Sequence, residues 1–417
     1  LIKLARTRFG IRRFRPGQRE LIEAVLAGRD AIGVMPTGAG KSLTFQLPAL
    51  VASKPVLVIS PLIALMQDQQ EKLASHGVVA AKLNSSLTAA EQTQVTADIE
   101  REAFELIYTT PERLEKPEEL ARFKQSGLSL LVVDEAHCVS QWGHDFRPAY
   151  LGLRDACREL GRPPVLALTA TASPTVLSDI QRQLDLHDAR VVHTGIERPN
   201  LFFEVLRTPS EQQKRTRLLA LLRDRPGSGI IYSATVRVAQ ELQRWLEQHQ
   251  IAAGLYHGKL PALEREEVQQ RFMQDELPVM VATNAFGMGL DKPNIRFIVH
   301  YHFPDSIETY YQEVGRAGRD GEHARVSLLY RLEVKRVQAY FLGGKYPRRA
   351  DTLKLLEVLL PLGTAAWVPL PRLAELTGIP ERHVKVIAAQ LIDAELAERK
   401  RGRVRLLREL AGAEELT

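Results

Sequence analysis

A glycine-containing loop, Met35–Ser42, carries the clearest chemistry in the sequence, MPTGAGKS. It follows an apolar run, Ala31–Met35, and precedes a helix expected to begin near Lys41. Glycine lets backbone N–H groups turn inward, and a helix N-terminus adds a favourable field for phosphate. Lys41 would reach the β- and γ-phosphates of a nucleotide, and Ser42 would offer a hydroxyl to Mg²⁺. The alternative is a turn that binds nothing, which the strand–helix context disfavours. The loop residues expected to bind nucleotide are Thr37, Gly38, Ala39, Gly40, Lys41 and Ser42.

A pair of acids, Asp134 and Glu135, ends a second apolar run. Ligands of parallel sheets bind at the carboxyl ends of the strands. Asp134 could therefore hold Mg²⁺, and Glu135 could orient and deprotonate an attacking water. An acid pair alone could equally cap a helix, but the phosphate loop upstream favours hydrolysis. His137, beside Glu135, could connect the phosphate site to Thr169–Thr171.

A third block, Gln312–Arg319, contains two arginines, Arg316 and Arg319, three residues apart. At that spacing they lie on one face of a helix. Arginines delivered to a transferring phosphoryl group accelerate its reaction by ~10³–10⁵. An ordinary surface charge pair is the alternative.

The elements that must position these residues form two series. Short apolar runs alternate with helical stretches, which predicts parallel sheets covered on both faces. The first series comprises 56–60, 106–110, 130–135 and 165–171, and the second comprises 229–233, 278–283, 296–301 and 326–330. Thr208-Pro209-Ser210 between them is interpreted as a linker. We therefore predict two α/β lobes, 1–207 and 208–342.

The last segment, 343–417, has a helical pattern followed by a basic hairpin, the outline of a winged helix. Its hairpin bases are placed for phosphate contacts, and three residues early in the long helix could face a DNA groove. The alternative is a solvated basic hairpin or a wing that docks on protein. The hairpin bases are Arg399, Lys400, Arg401, Arg403, Arg405 and Arg408, and the helix residues are Arg382, His383 and Lys385.

Composition places limits on the whole chain of 417 residues. Its 45% hydrophobic and 25% charged residues are typical of a soluble globular protein. No apolar run approaches the ~18 residues of a membrane span, so we expect a cytoplasmic protein without membrane contact. Two cysteines, Cys138 and Cys157, fit a reduced compartment and no cysteine zinc site. The net charge of +6 permits a polyanionic partner.

The ordered motifs resemble those of the RecQ family of DNA helicases, within helicase superfamily 2. The resemblance runs from Phe9 to Gly321. It is carried by FGIRRFRPGQ (9–18), MPTGAGKSL (35–43), SPLIALMQDQ (60–69), LNSS (83–86), TPERL (110–114), DEAHCVSQWGHDFRPAY (134–150), LTATA (168–172), ATNAFGMGLDKPNIRF (282–297) and QEVGRAGRDG (312–321).

This resemblance implies two tandem RecA-like lobes and roles for several residues. Arg15 and Gln18 would read adenine, with Ile11 where the family often has an aromatic residue. Asp291 would contact the nucleotide sugar. Arg319 would be the arginine finger and Arg316 a phosphate contact.

The resemblance also points to an aromatic-rich loop at 138–147 that would sense DNA, since bases stack on aromatic side chains at ~1–3 kcal/mol each. Without the family, its aromatic residues would be interpreted as core. The loop residues expected to contact DNA are Trp142, His144, Phe146 and Arg147. The family's helical platform carries four zinc-binding cysteines, but residues 322–417 contain none. We therefore expect no zinc.

The expected function is an ATP-dependent DNA helicase that uses Mg²⁺ and serves DNA repair or recombination. Translocation in the 3′→5′ direction and binding to single-stranded and to forked or branched DNA follow from the resemblance. An RNA helicase with the same motor is one alternative, although the 60–69 block and the aromatic-rich loop favour DNA. A non-enzymatic adaptor is another, and intact Lys41, Asp134, Glu135 and Arg319 weigh against it. The sequence identifies no protein partner.

Overall fold

The computed structural model describes residues 1–61, 63–84, 87–101, 103–140, 146–224, 227–287, 290, 292–331, 347–400 and 402–408. Four predicted site residues, Trp142, His144, Asp291 and Arg401, lie outside these ranges. Among the described residues, no helix has the length and apolar character that crossing a membrane requires.

The first lobe contains a seven-stranded sheet whose strand pairs are all parallel. Its strands are β1 (Ala31–Val34), β2 (Val56–Ile59), β3 (Ala80–Leu83), β4 (Leu106–Thr109), β5 (Leu130–Val133), β6 (Val165–Thr169) and β7 (Arg190–His193). They lie in the order β3-β4-β2-β5-β6-β1-β7. Its helices are α1 (Ile2–Phe9), α2 (Gln18–Leu26), α3 (Leu43–Ala49), α4 (Ile63–Ser75), α5 (Ala89–Glu100), α6 (Pro117–Ser126), α7 (Leu153–Glu159) and α8 (Pro174–Gln183).

Strand β5 shows why the strands read as continuous apolar runs. Successive side chains of a strand point to opposite faces. Leu131 and Val133 join a core on one face of the sheet, and Leu130 and Val132 join a second core on the other. Both faces are covered, so β5 is apolar throughout, and Asp134 and Glu135 follow where it ends.

Asp30 fixes the start of β1, the strand that carries the phosphate loop. Its carboxylate is 5% exposed and accepts hydrogen bonds from Arg162 (2.6 and 3.1 Å) and from the backbone N–H groups of Val165 and His187 (both 2.8 Å). Burial alone would raise the pKa of Asp30, but these donors outweigh it and lower that pKa. Asp30 thus ties β1 to the segments before β6 and β7.

The second lobe contains a six-stranded parallel sheet. Its strands are β8 (Leu201–Arg207), β9 (Ser228–Tyr232), β10 (Ala253–Tyr256), β11 (Val279–Ala282), β12 (Ile295–His300) and β13 (Ala324–Tyr330), in the order β10-β11-β9-β12-β13-β8. Its helices are α9 (Glu211–Arg223), α10 (Val236–Gln248), α11 (Ala262–Met273) and α12 (Ile307–Val314). Apolar cores again cover both faces, and the prediction of two parallel-sheet lobes is confirmed.

The chain crosses between the sheets earlier than the predicted division at residue 207. Strand β8 pairs with β13 along its whole length, so it belongs to the second sheet. The predicted linker is also part of that lobe: Thr208 is 1% exposed and its N–H donates to the Tyr330 carbonyl at 2.9 Å. Ser210 caps α9 by accepting from the Gln213 N–H at 3.2 Å. Pro and Ser mark helix starts as well as linkers, and the connector between the sheets is 194–200.

A small C-terminal domain follows, and its described residues form three α-helices, an antiparallel sheet and their own apolar core. Its helices are α13 (Arg349–Leu359), α14 (Leu370–Thr377) and α15 (Glu381–Asp393). Its strands are β14 (Val368–Pro369), β15 (Ala397–Lys400) and β16 (Arg403–Leu406), in the order β14-β16-β15. Arg399 attaches it to the first lobe, donating to the Glu115 carboxylate at 2.6 Å and to the Pro148 carbonyl at 3.4 Å.

Candidate active site

The phosphate loop lies between β1 and α3, as the sequence predicts. Gly38 and Gly40 have φ values of 83° and 79°, in the left-handed region that favours glycine. A side chain at Gly40 would begin 2.5 Å from the Gln18 amide nitrogen. Lys41 Nζ donates to the Met35 carbonyl at 3.2 Å, so its ammonium lies over the loop.

Two side chains, Gln18 at the start of α2 and Arg15 just before it, hold the outer surface of this loop. Gln18 Nε2 donates to the carbonyls of Gly40 (2.9 Å) and Ala39 (3.3 Å), and Arg15 donates to the Gly38 carbonyl. Gln18 Oε1 accepts from the Arg15 N–H at 2.8 Å. The C=O and N–H of one trans peptide point in opposite directions. Holding the Ala39 and Gly40 carbonyls outward therefore turns the Gly40 and Lys41 N–H groups inward, toward a phosphate. The Ala39 N–H, by contrast, donates to the Pro36 carbonyl at 3.1 Å. The structure shows that Arg15 and Gln18 brace the loop, and their recognition of adenine stays a prediction.

A cavity of about 330 Å³ opens beside Gln18 and Gly40. Ile11 is among its lining residues, and so are Phe9 and His76, whose rings meet edge-on with centroids 5.3 Å apart. The size and mixed polar and aromatic lining suit a nucleotide base. Sequence reasoning missed His76 because it lies at the end of a distant helix and carries no motif.

The acids Asp134 and Glu135 follow β5, beside the ends of β2 and β6. Asp134 accepts from its neighbour's N–H at 3.0 Å and from Ser60 Oγ at 3.5 Å. Burial and the adjacent Glu135 charge raise the pKa of Asp134, while Lys41 acts in the opposite direction. Two crowded carboxylates opposite one ammonium form a site in which a cation is favourable.

His137 makes the predicted connection between the acids and the end of β6. Its Nδ1 lies 3.0 Å from Thr169 Oγ1 and 3.3 Å from a Glu135 carboxylate oxygen. Thr169 Oγ1 in turn donates to the Thr171 carbonyl at 2.9 Å. His137 is 3% exposed, so this chain of contacts is buried. These contacts join Glu135 to Thr169–Thr171 through a single buried side chain.

The turn after α12 brings the second lobe against the phosphate loop. A side chain added at Gly315 would begin 3.0 Å from Thr37 Cβ, and one added at Gly38 would begin 3.5 Å from Arg319 Cγ. Arg319 thus lies at the loop that would bind the triphosphate. Arg316 points elsewhere: it is 8% exposed and donates to the Gly287 carbonyl within its own lobe. Gln312 is half-buried on α12.

Arg198 contacts both halves of the site, and the sequence analysis did not identify it. It stands in the connector 194–200 and donates to carbonyls of both lobes, including Thr37 at 3.0 Å and Gly318 at 2.9 Å. Its only signal in the sequence is the run Glu197-Arg198-Pro199-Asn200 just before β8.

The predicted nucleic-acid contacts are distributed over two regions. Phe146 and Arg147 are half-buried, and Arg147 donates to the Pro61 carbonyl at 3.4 Å. In the C-terminal domain, Arg382 and Arg403 are exposed, and Lys385 pairs with Glu381 at 3.0 Å. Two of the hairpin bases are engaged within the protein: Arg399 as described above, and Arg405 with the Glu398 carboxylate and the Trp367 ring.

The residues predicted to hold Mg²⁺ are Ser42, through its hydroxyl, and Asp134, through its carboxylate. Hydroxyl and carboxylate oxygens are the ligands Mg²⁺ prefers, and it is usually bound by one or two of them together with substrate phosphates. The crowding of Asp134 and Glu135 fits such an ion. Within the residues that the structure describes, no group of three or more His, Cys, Asp or Glu side chains could hold a metal by itself.

Comparison with known proteins defines the class. Residues 15–180 match the DEAD/DEAH box helicase family, and residues 213–321 match the helicase conserved C-terminal domain. A solved structure of Mycobacterium smegmatis helicase Lhr bound to ssDNA and AMP-PNP has the same fold, with a TM-score of 0.66 and 19% identity over 99% of this chain and 61% of that one. The chain is a two-lobed helicase by fold.

Curated relatives give the particular family. The chain is 43% identical to the probable ATP-dependent DNA helicase RecS of Bacillus subtilis, over 78% of this chain and 65% of that protein. It is 44% identical to the ATP-dependent DNA helicase RecQ of the same organism, over 80% of this chain and 56% of that protein. The chain belongs to the RecQ family, as the sequence predicts. It spans only part of these two relatives, between a half and two thirds of their lengths.

Proposed function

We propose that the protein is an ATP-dependent DNA helicase that couples ATP hydrolysis to movement along one DNA strand. The observation that carries the proposal is the contact between the two half-sites, with Arg319 of the second lobe lying against Gly38 of the first. A nucleotide held by Lys41 would complete its site only when the lobes are together. Binding and hydrolysis would then close and open the cleft.

The residues of this chain divide the work of hydrolysis. The braced loop presents N–H groups and Lys41 to the phosphates, and Glu135 orients and deprotonates the attacking water. Arg319 stabilises the charge that develops on the γ-phosphate. Mg²⁺, held by Ser42 and Asp134, would neutralise phosphate charge when bound. Asp291 would contact the nucleotide sugar. Gln312 lies in the same sequence block, 312–319, as Arg316 and Arg319. Arg316 would hold the segment at Gly287 through its hydrogen bond to the Gly287 carbonyl.

DNA as the track is supported by the relatives, which are named DNA helicases. Phe146 and Arg147 lie directly after the hydrolytic acids, and we propose that they act with Trp142 and His144 to sense bases. The 3′→5′ direction, forked or branched substrates and a role in repair or recombination are part of the proposal.

We further propose that the C-terminal domain is a winged helix that contacts DNA. Its helix order, its hairpin and the exposed Arg382 and Arg403 support this. With Arg399 and Arg405 engaged in protein contacts, we assign Arg401 and Arg403 of the hairpin and Lys385 of α15 to phosphate contacts.

The test of the proposed function is the ATPase rate of the full chain with different polynucleotides. We expect a low rate alone and at least about tenfold stimulation by single-stranded DNA, because closure is completed only when the track is gripped. Single-stranded RNA of matched length and sequence is the control polymer. Equal stimulation by RNA would favour the RNA motor, and absence of stimulation by either would contradict a nucleic-acid motor.

A further inference from the structure

The connector between the lobes carries one side chain whose hydrogen bonds reach both halves of the site. Arg198 Nη1 donates to the Thr37 carbonyl at 3.0 Å and to the Gly315 carbonyl at 3.3 Å. Its Nη2 donates to the Ala317 and Gly318 carbonyls at 2.8 and 2.9 Å. Thr37 belongs to the phosphate loop, and the other three belong to the turn that carries Arg319. A single planar guanidinium therefore sets the distance between the loop and that turn.

The bond to Thr37 has a further effect on the phosphate loop. The Thr37 carbonyl and the Gly38 N–H share one peptide unit and point in opposite directions. Arg198 thus orients the Gly38 N–H, as Arg15 and Gln18 orient the N–H groups that follow. The loop is braced from the first lobe by two residues and from the connector by the third.

The second lobe holds Arg198 more firmly than the first does. Its Nε donates to Asn200 Oδ1 at 3.4 Å, and Asn200 Nδ2 donates to the carbonyls of Gly318 (2.8 Å) and Glu322 (2.9 Å). Tyr311 of α12 also donates to the Ile196 carbonyl at 2.6 Å. Opening of the cleft would break the bond to Thr37 and leave the others, so Arg198 would move with Arg319.

We propose that Arg198 is a positioning residue that clasps the phosphate loop to the arginine-bearing turn and places Arg319 for catalysis. The inference rests on the proposed function. Arginine is required because its fork offers several N–H donors in fixed directions, whereas a lysine ammonium is a single point. The described bonds of Arg198 all go to uncharged oxygen acceptors, which matches bracing of backbone better than neutralisation of an acid.

The first test compares Arg198→Ala, Arg198→Lys, Arg319→Ala and the Arg198→Ala/Arg319→Ala double variant. The readouts are kcat and KM for DNA-stimulated ATP hydrolysis. We expect Arg198→Ala to lower kcat about 100-fold, because a misplacement of ~1 Å costs that much. Arg198→Lys should not restore it. The double variant should fall within about threefold of Arg319→Ala, because Arg198 acts through the finger. Arg207→Ala, an exposed arginine on β8, is the matched control.

The second test does not depend on activity. Hydrogen–deuterium exchange of the full chain without nucleotide should show faster exchange in both 36–42 and 315–319 for Arg198→Ala, with no such change in Arg207→Ala. Parent kcat in Arg198→Ala, full rescue by lysine, multiplying losses in the double variant, or faster exchange in neither or only one segment would overturn the clasp. A parent protein without DNA-stimulated ATPase would instead count against the proposed function, and the exchange experiment would still decide the clasp.

Discussion

Arg319→Ala should lower the DNA-stimulated kcat for ATP by about 10³–10⁵-fold, the effect found when an arginine finger is removed. The stem of Arg319 lies against Gly38, so its guanidinium would act where charge develops on the transferring phosphoryl group. The loop and Lys41 remain intact in this variant, so KM for ATP should change much less than kcat. Steady-state ATPase measurements at saturating single-stranded DNA give both constants.

Arg325→Ala is the matched control, because Arg325 is an exposed arginine on β13 of the same lobe. It should keep the parent kcat. An Arg319→Ala protein that retains more than about a tenth of the parent kcat would contradict the finger assignment. A loss confined to KM would assign Arg319 to ground-state binding of ATP instead.

Glu135→Gln should lower ATP turnover by about 10²–10⁴-fold while leaving ATP and DNA binding largely intact. Glutamine keeps the size of the side chain and loses the basic oxygen, so the water would be held without being deprotonated. The change is measured by single-turnover hydrolysis together with nucleotide and DNA binding at equilibrium. Hydrolysis at the parent rate would show that the base lies elsewhere.

The control for Glu135→Gln is Glu112→Gln, which makes the same chemical change at an exposed position of the first lobe. This variant should behave as the parent. The comparison also reports on His137, which touches both Glu135 and Thr169. If single-stranded DNA also stimulated the residual ATPase rate of Glu135→Gln by a smaller factor than it stimulates the parent, this buried contact would be shown to couple DNA binding to hydrolysis.

The sheets were predictable because most strands are buried on both faces and therefore appear as apolar runs. Strand β8 was harder, because it is an edge strand with Phe202, Phe203 and Val205 exposed. Strand β7 is also an edge strand, with Val192 as its only buried residue. Neither pattern resembles a buried parallel strand. Because β8 was not recognised as a strand of the second sheet, the predicted lobe boundary was placed after it, at residue 207.

The site was predictable where one stretch of chain contains the chemistry. The phosphate loop, the acids and the arginine block are each local, and their spacing defines them. The bracing of the loop is different, because Gln18 and Arg198 bind backbone carbonyls that are distant in sequence and come next to these side chains only after folding. A carbonyl acceptor leaves no trace in the sequence, since every residue has one.

The hydrogen bonds from Arg399 to Glu115 and Pro148 bear on which domains would move together. The C-terminal domain contacts the first lobe at Pro148, next to Arg147, so in the proposed cycle these two would move as one body and the second lobe would move relative to them. Each stroke would then draw the tracked strand away from a duplex held still at the other end.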